Sequence, residues 1–199
     1  MSTAPRIAKT AVVYPQVQLG AGCVVEDFCV IGAPLRDGSE PPTIILENAH
    51  IRSFTVIYAG NKIGKNFQTG NKANIRENNI IGDNVSVGTM SVIEHQIKIE
   101  DNVRIHTQVF IPEYSVLKKG CWIGPHVVLT NAKYPNRPDT KNQLAGVVVE
   151  AGAVIGANST LSPGLNIGSG SIVGSGANVV RDVKQETIVV GNPARATKD

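Results

Sequence analysis

Residues 75–93 read IRENNIIGDNVSVGTMSVI, with isoleucine or valine at positions 75, 81, 87 and 93. The same six-residue spacing extends over most of the 199-residue chain and is interrupted twice by segments rich in turn-forming residues. A period of six matches neither a helix nor a strand that alternates every second residue, so we interpret it as a short strand and a turn, repeated. The repeated positions, at which Thr69 is the one polar residue, are Ile7, Val13, Leu19, Val25, Ile31, Ile45, Ile51, Ile57, Ile63, Thr69, Ile75, Ile81, Val87, Ile93, Ile99, Ile105, Ile111, Leu117, Ile123, Leu129, Val149, Ile155, Leu161, Ile167, Val173 and Val179.

Three such units form one coil of a triangular solenoid, and successive coils stack at the inter-strand spacing of about 4.8 Å. Each coil is stable only against its neighbours, because stacking buries the aliphatic column and pairs the backbones. We name the faces A, B and C after the hexads that begin at Ile45, Ile51 and Ile57. The sequence therefore predicts one all-β domain over residues 1–199, a parallel β-helix of hexapeptide repeats. Small inward residues are expected four places after the aliphatic ones, at Ala49, Thr55, Ala73, Ser91, Ser115 and Cys121.

The two interruptions, residues 33–43 and 130–148, are predicted to be loops that leave the solenoid. Loops on a rigid scaffold often carry function, and the second loop follows face C, as His95 does two coils earlier. It is expected to cover a neighbouring cleft. A tolerated surface insertion is the alternative.

Composition excludes several classes of protein. Hydrophobic residues make up 42% of the chain and aromatic residues only 5%, which suits a narrow, strand-rich interior. The net charge is +3 and the basic and acidic residues are interspersed, so no nucleic acid partner is expected. The apolar runs are too short for a membrane span, and Met1–Arg6 lacks a signal peptide's apolar core. Cysteines 23, 29 and 121 have no metal-ligand spacing, so a reducing cytoplasm is the expected compartment.

One corner of the solenoid carries candidate catalytic groups. Two places after each aliphatic residue of face C the sequence reads Ala59, Glu77, His95, Glu113 and Asn131. Regular stacking places His95 between Glu77 and Glu113, and neighbouring carboxylates can orient an imidazole that acts as a general base. A solvated polar edge is the alternative.

The outward positions of face C are apolar, which is unusual for the outside of a solenoid. Such side chains need cover, so face C is predicted to be a subunit interface. The residues are Val56, Val92, Phe110 and Val128.

The chain resembles the hexapeptide-repeat acyltransferases over nearly its whole length, because many aliphatic positions are followed by glycine. This resemblance implies a left-handed helix, use of an acyl-CoA, and a homotrimer with active sites in the clefts between subunits. The pairs are Ile63-Gly64, Ile81-Gly82, Val87-Gly88, Ile123-Gly124, Ile155-Gly156 and Ile167-Gly168.

Three segments resemble particular members of this family. Residues 91–96 are similar to the catalytic segment of nucleotide-sugar N-acetyltransferases, which implies that His95 is the general base. In those enzymes an acid often follows the histidine, whereas Gln96 stands here, so Glu77 or Glu113 is expected to orient the ring.

Residues 123–131 resemble the start of the loop in enzymes that acetylate 3-amino sugars on nucleotide carriers. The tail 190–195 is similar to the terminus of acetyl-CoA-dependent members, whose late coils line the cofactor groove. The resemblance thus implies acceptor-binding residues at Gln96, Asn131, Tyr134 and Arg137, and cofactor-binding residues at Arg181, Pro193 and Arg195.

The sequence therefore predicts transfer of acetyl from acetyl-CoA to an amino group of a nucleotide-linked sugar, with no metal. O-acetylation of a sugar or small alcohol is the nearest alternative. A γ-type carbonic anhydrase needs three convergent imidazoles, but His95 and His106 are eleven residues apart and lack the usual pairing. A non-catalytic solenoid used for assembly is the remaining alternative.

Overall fold

The computed structural model describes residues 4–197 as a parallel β-solenoid of about ten turns. The predicted all-β class is confirmed, and the described residues contain a single short 3-10 helix, Thr140–Gln143. Within this range no helix has the length and apolar composition that crossing a membrane requires.

Three sheets form the three faces, and the interior strands pair in parallel with the strands one coil before and one coil after them, whereas the last strand of face B pairs antiparallel with the strand before it. Face A has eight strands: β3 (Val17–Leu19), β6 (Thr43–Ile45), β9 (Lys62–Ile63), β12 (Ile80–Ile81), β15 (Lys98–Ile99), β18 (Val116–Leu117), β21 (Val148–Val149) and β24 (Asn166–Ile167). Face B has eleven: β1 (Arg6–Ile7), β4 (Val24–Val25), β7 (His50–Ile51), β10 (Gln68–Thr69), β13 (Ser86–Val87), β16 (Arg104–Ile105), β19 (Trp122–Ile123), β22 (Val154–Ile155), β25 (Ile172–Val173), β27 (Ile188–Val190) and β28 (Arg195–Ala196). Face C has nine: β2 (Val12–Val13), β5 (Val30–Ala33), β8 (Val56–Tyr58), β11 (Asn74–Ile75), β14 (Val92–Ile93), β17 (Phe110–Ile111), β20 (Val128–Leu129), β23 (Thr160–Leu161) and β26 (Asn178–Val179).

The aliphatic columns predicted from the sequence are in register. Ile75 pairs with Ile93 and Ile93 with Ile111, so residues 18 apart lie directly above one another. The backbone N–H of Arg76 donates to the carbonyl of Ile93 at 2.8 Å, which is how each coil pairs with the next.

The core is a narrow column of aliphatic side chains with a few satisfied polar groups. Thr69, the polar residue in the aliphatic pattern, accepts a hydrogen bond from the N–H of Arg52 at 2.9 Å, and its hydroxyl lies 3.2 Å from that of Thr55. The predicted small inward residues are buried, but larger buried side chains occupy other positions of the same kind. Phe67 occupies such a position and is fully buried, while its neighbour one coil earlier in that column is Ala49.

Turn chemistry explains the residues at the corner between faces A and B. The residues three places after the aliphatic ones of face A, Asn48, Asn66, Asn84 and Asn102, have φ of 56–61°, a conformation that asparagine tolerates better than most residues. The glycines that follow aliphatic residues have a different cause, which is the close approach of the backbone of the next coil. A β-carbon at Gly124 would lie 2.7 Å from the carbonyl oxygen of Ile155 in the next coil.

Both insertions leave the solenoid at the corner between faces C and A, which we call the C–A corner. Their extruded parts are shorter than predicted, because Ala33 and Thr43 still belong to strands β5 and β6. The second loop is closed at its base, where the N–H of Ala145 donates to the carbonyl of Asn131 at 2.9 Å. The predicted bounds 33–43 and 130–148 thus include residues that return to the coil.

Candidate functional site

The backbone of the C–A corner is held from inside by a ladder of buried asparagines. The Asn79 amide donates to the carbonyl of Arg76 at 2.7 Å and accepts from the N–H of Ile97 at 2.8 Å. Asn61 repeats the arrangement one coil earlier, and its amide also donates to the carbonyl of Arg76 at 2.8 Å. The ladder therefore joins the turn of residues 76–79 to the turn of residues 94–97, which carries His95.

His95 is half-buried on this corner, with its side chain 29% exposed. Its Nδ1 is buried, and the described residues give it no hydrogen-bond partner. Nδ1 lies 3.8 Å from a carboxylate oxygen of Glu113 and 3.9 Å from one of Glu94, and the ring of Tyr114 packs edge-on at 6.4 Å. Nε2, in contrast to Nδ1, is not buried, so it is the ring nitrogen available to a substrate.

One of the two carboxylates predicted beside His95, that of Glu77, is paired with another residue. Glu77 lies one coil before His95 in the predicted column, but its carboxylate forms a bidentate pair with Arg76, at 2.8 and 3.0 Å. Burial works to raise the pKa of Glu77, yet the hydrogen bonds and charge of Arg76 outweigh it and lower the pKa. Hydrogen bonding to Glu77 in turn raises the pKa of Arg76. Glu94, which the sequence analysis did not single out, takes the place near Nδ1.

Arg76 connects the carboxylates of two coils. Its Nη1 lies 3.3 Å from Oε2 of Glu94, the oxygen that faces His95, and its guanidinium lies 5.3 Å from the centre of the Tyr58 ring. Two residues of the sequence could have indicated this group. Glu94 directly precedes His95, and Arg76 occupies the same position of the repeat one coil earlier.

The second loop is tied to this cluster at its first residue. The amide of Asn131 donates to Glu113 at 2.6 Å, on the oxygen opposite the one that faces His95. Farther along the loop the Arg137 guanidinium stacks on the Tyr134 ring, 4.0 Å from its centre. Gln96 is exposed beside His95 with φ of 58°. Of the predicted acceptor residues, Gln96 lies beside His95 and Asn131 contacts Glu113, while Tyr134 and Arg137 pair with each other.

The predicted cofactor residues lie in the last coils and are exposed. Arg181 occupies the same column of the C–A corner as His95, four coils later, because face C stays in register through Leu129, Leu161 and Val179. Four coils correspond to about 19 Å. Pro193 lies in the terminal turn and Arg195 begins β28. The turn is held to face C by a hydrogen bond from the N–H of Ala194 to the carbonyl of Asn178 at 2.8 Å.

The remaining histidines lie elsewhere. His106 packs on Trp122 at 4.5 Å, where burial lowers its pKa and the charge of Arg104 adds to the effect. His50 bonds to Glu26 on face B. Among the described residues, the one cluster of possible metal-binding side chains is Glu94, His95 and Glu113, which contains a single imidazole.

The cysteines are buried, and burial raises the pKa of the Cys121 thiol to about 12. A reactive cysteine has the opposite shift, so Cys121 is core. This agrees with its prediction as an inward residue.

No family model matches the sequence, and no curated protein sequence matches it significantly. Solved structures do resemble it. UDP-N-acetylglucosamine acyltransferase from Campylobacter jejuni is 17% identical with a TM-score of 0.66, over 96% of this chain and 74% of that one. The enzyme of that name from Bacteroides fragilis is 16% identical with a TM-score of 0.65, over 96% and 73%.

A GDP-perosamine N-acetyl transferase variant from Caulobacter crescentus, in complex with CoA and GDP-perosamine, is 21% identical with a TM-score of 0.40. The alignment covers 100% of this chain and 58% of that enzyme, so the chain spans less than two thirds of its length. The structural neighbours are hexapeptide-repeat acyltransferases, and the likeness to the two UDP-N-acetylglucosamine acyltransferases confirms the predicted left-handed parallel β-helix.

Proposed function

We propose that this chain is an acyl-CoA-dependent acetyltransferase that transfers acetyl from acetyl-CoA to an amino group of a nucleotide-linked sugar, with His95 as general base. The observation that carries the proposal is the His95 ring, whose Nδ1 is buried near two carboxylates while Nε2 is not buried. This arrangement suits a general base, because the carboxylates near Nδ1 stabilise the positive charge that the ring gains when it takes a proton.

In the proposed reaction the acceptor nitrogen attacks the thioester carbonyl, a carbon–nitrogen bond forms, and the carbon–sulfur bond breaks. Nε2 of His95 takes the proton from the attacking nitrogen and returns it to the departing thiolate, which leaves as CoA. Glu113 and Glu94 stabilise the imidazolium formed in between. Nearby N–H groups would steady the oxyanion of the tetrahedral intermediate.

The donor is proposed to lie along the C–A corner. Arg181 stands in the His95 column at about 19 Å, a distance that the extended pantetheine arm can span. Its guanidinium is suited to the phosphates of the donor, since arginine binds phosphate through charge-assisted hydrogen bonds. Pro193 in the terminal turn and Arg195 in β28 are proposed to contact the nucleotide end of the donor.

The acceptor is proposed to enter from the second loop. Gln96 lies beside His95 and Asn131 bonds to Glu113 one coil later, while Arg137 on the loop supplies a positive charge for the diphosphate of a sugar nucleotide. Tyr134 stacks with Arg137 and can hold that side chain in place.

We further propose a homotrimer built through face C, in a reducing compartment such as the cytoplasm. The outward side chains Val56, Val92 and Phe110 are half-buried within the single chain, and Val128 is 38% exposed. At the adjoining corner Phe28 and Phe54 stack at 5.0 Å while each is about half exposed. Both have positive φ, where a large side chain is strained, which favours a role in contact with a second copy.

The test is release of CoA from acetyl-CoA in the presence of a panel of sugar nucleotides, each offered as an amine and as the matching hydroxyl compound. We expect turnover with an amine, and a loss of about 100-fold or more in kcat for His95→Gln, with binding of acetyl-CoA retained. Turnover with the hydroxyl compounds alone would indicate O-acetylation. Undiminished turnover by the variant would remove His95 from the mechanism, and failure to bind acetyl-CoA would favour a non-catalytic solenoid.

A further inference from the structure

Around His95, the described residues of the C–A corner offer no free lysine or arginine to the phosphates of a sugar nucleotide. The arginine in this cluster is Arg76, whose guanidinium pairs with Glu77 at 2.8 Å and with Glu94 at 3.3 Å. Glu113 adds another carboxylate, 3.8 Å from Nδ1 of the ring. Because these carboxylates repel an anion, the diphosphate of the acceptor must lie away from the corner, where a cation without an acidic partner is available.

A trough on face B holds such a cation. Arg104 is the outward residue of β16, it is exposed, and among the described residues no carboxylate forms an ion pair with it. The outward residues one and two coils earlier in the same column are Ser86 and Gln68. With Asn84 and Asn102 at the corner between faces A and B, these side chains help to line a shallow depression of about 350 Å³. This volume is within the range of small-molecule sites.

The symmetry of the proposed trimer limits which surface can lie against face C. A three-fold axis produces heterologous contacts, so face C of one subunit presses on a different surface of the next subunit. When three-sided prisms pack around such an axis, the two faces that look toward the neighbours meet at the corner nearest the axis. Face C ends at two corners, so the axial corner is either the C–A corner or the corner between faces B and C.

The corner between faces B and C is the one suited to the axis. It carries Phe28, Phe54 and Met90, each about half exposed, and Lys72 lies over the Phe54 ring at 6.0 Å. The C–A corner carries both loops and the carboxylates of the His95 cluster, and three copies of these groups would collide and repel one another at an axis. Face B of one subunit therefore looks toward face C of the next, and the cleft between them opens beside His95.

We infer that Arg104 of the partner subunit completes the site at His95 and binds the diphosphate of the acceptor across this cleft. The inference rests on the proposed function and on the proposed trimer. Ser86 and Val92 belong to the same coil, directly before His95, and Arg104 lies one coil later, about 4.8 Å along the solenoid. With the solenoids parallel to the axis, the partner's trough is therefore at the height of His95. A guanidinium suits a diphosphate because its forked N–H groups donate charge-assisted hydrogen bonds.

The first experiment tests the placement of face B without a substrate. Chains with Val92→Cys are co-expressed with chains that carry Ser86→Cys and treated with a short bismaleimide, while the native cysteines are fully buried and should not react. We expect covalent dimers on a denaturing gel. Ile80→Cys in place of Ser86→Cys is the matched control, because Ile80 is the outward face A residue of the same coil and is 55% exposed. Cross-linking of the control pair alone, or of neither pair, would overturn the inference.

The second experiment measures the contribution of Arg104 to binding by isothermal titration calorimetry. The probe is whichever of UDP, GDP and dTDP binds the wild type most tightly. We expect Arg104→Met to weaken its binding about 10- to 100-fold, the loss typical of a hydrogen bond to a charged group. Lys62→Met removes an exposed cation from face A and should leave the affinity unchanged. Equal affinity in Arg104→Met and the wild type would contradict the inference, as would binding of none of the three nucleotides.

The third experiment asks whether His95 and Arg104 act from different subunits. Chains with His95→Gln and chains with Arg104→Met carry different affinity tags, and trimers that contain both are purified. Whichever chain is in excess, every mixed trimer has one cleft in which both residues are intact if they come from neighbouring subunits. Its kcat/KM should therefore be about one third of the wild-type value. Activity no higher than that of the parent trimers would show that the two residues do not meet across a cleft.

The outcomes separate this inference from the proposed function. Cross-links between faces B and C, together with weakened nucleotide binding by Arg104→Met, would support the inference even in a chain that acetylates nothing, and such a chain would refute the proposed function. Turnover that depends on His95 but is indifferent to Arg104 would support the proposed function and refute the inference.

Discussion

Glu26 at the start of the solenoid accepts more hydrogen bonds from charged and polar partners than an exposed carboxylate usually does. His50 donates to it at 2.8 Å, Arg52 at 3.0 Å, and the backbone and hydroxyl of Ser53 each at 3.1 Å. Partial burial works to raise the pKa of Glu26, but these hydrogen bonds and the charge of Arg52 lower it to about 2, from an ordinary value of 4.5. Replacing Glu26 with glutamine keeps the shape and removes the charge.

The size of the effect follows from this shift. The lowered pKa corresponds to about 3 kcal/mol of stability at pH 7, and to nearer 2 after allowance for the solvent around Arg52, which is half exposed. Because the folded pKa lies below the unfolded one, this stability is fully present above about pH 4.5 and is lost as the pH falls toward 2. At pH 3 about 1 kcal/mol remains.

The assay is urea unfolding followed by circular dichroism at pH 7 and pH 3. We expect Glu26→Gln to be less stable than the wild type by about 2–3 kcal/mol at pH 7 and by about 1 kcal/mol at pH 3. Asp27→Asn makes the same change of net charge one residue along and serves as control. A deficit of equal size at both pH values would show that the charge of Glu26 is not what stabilises this coil.

Three further predictions concern the interface, the corner and the coil spacing. Phe110→Lys on face C should convert the proposed trimer to monomers by light scattering, whereas Ile80→Lys on face A, where Ile80 is 55% exposed, should not. Asn79→Ala should lower the free energy of unfolding by about 2–4 kcal/mol, because buried backbone groups lose their partners. Gly124→Ala should cost about 1–3 kcal/mol, since a β-carbon there would meet the carbonyl of Ile155. Chemical denaturation measures both, and an unchanged midpoint would contradict either one.

The candidate site was only partly predictable from the sequence. The six-residue period places Glu77, His95 and Glu113 in one column, because the register of a solenoid follows from its repeat. It does not show which way a long side chain turns. Arg76 takes the carboxylate of Glu77, and Glu94 approaches Nδ1 instead, since ion pairs across adjacent coils are decided by rotamers.

The residues at which the two loops begin and end could not be predicted from the sequence either. Residues such as Ala33 and Val148 pair with neighbouring coils, so they return to the solenoid inside the predicted insertions. Turn-forming residues mark an interruption, but a strand begins where a partner backbone is available for hydrogen bonding. That partner lies in a different coil, far away in the sequence.

The six-residue repeat by itself determined the three faces, the inward columns and the corner that carries His95, because stacking identical units leaves one way to bury the aliphatic side chains. Tertiary structure alone decided the chemistry at that corner: the distances from Nδ1 to two carboxylates, the position of Arg76 between coils, and the tie between Asn131 and Glu113. These contacts depend on side chains from successive coils that meet in space. The spacing of residues along the chain does not determine which of several nearby charged groups a flexible side chain pairs with.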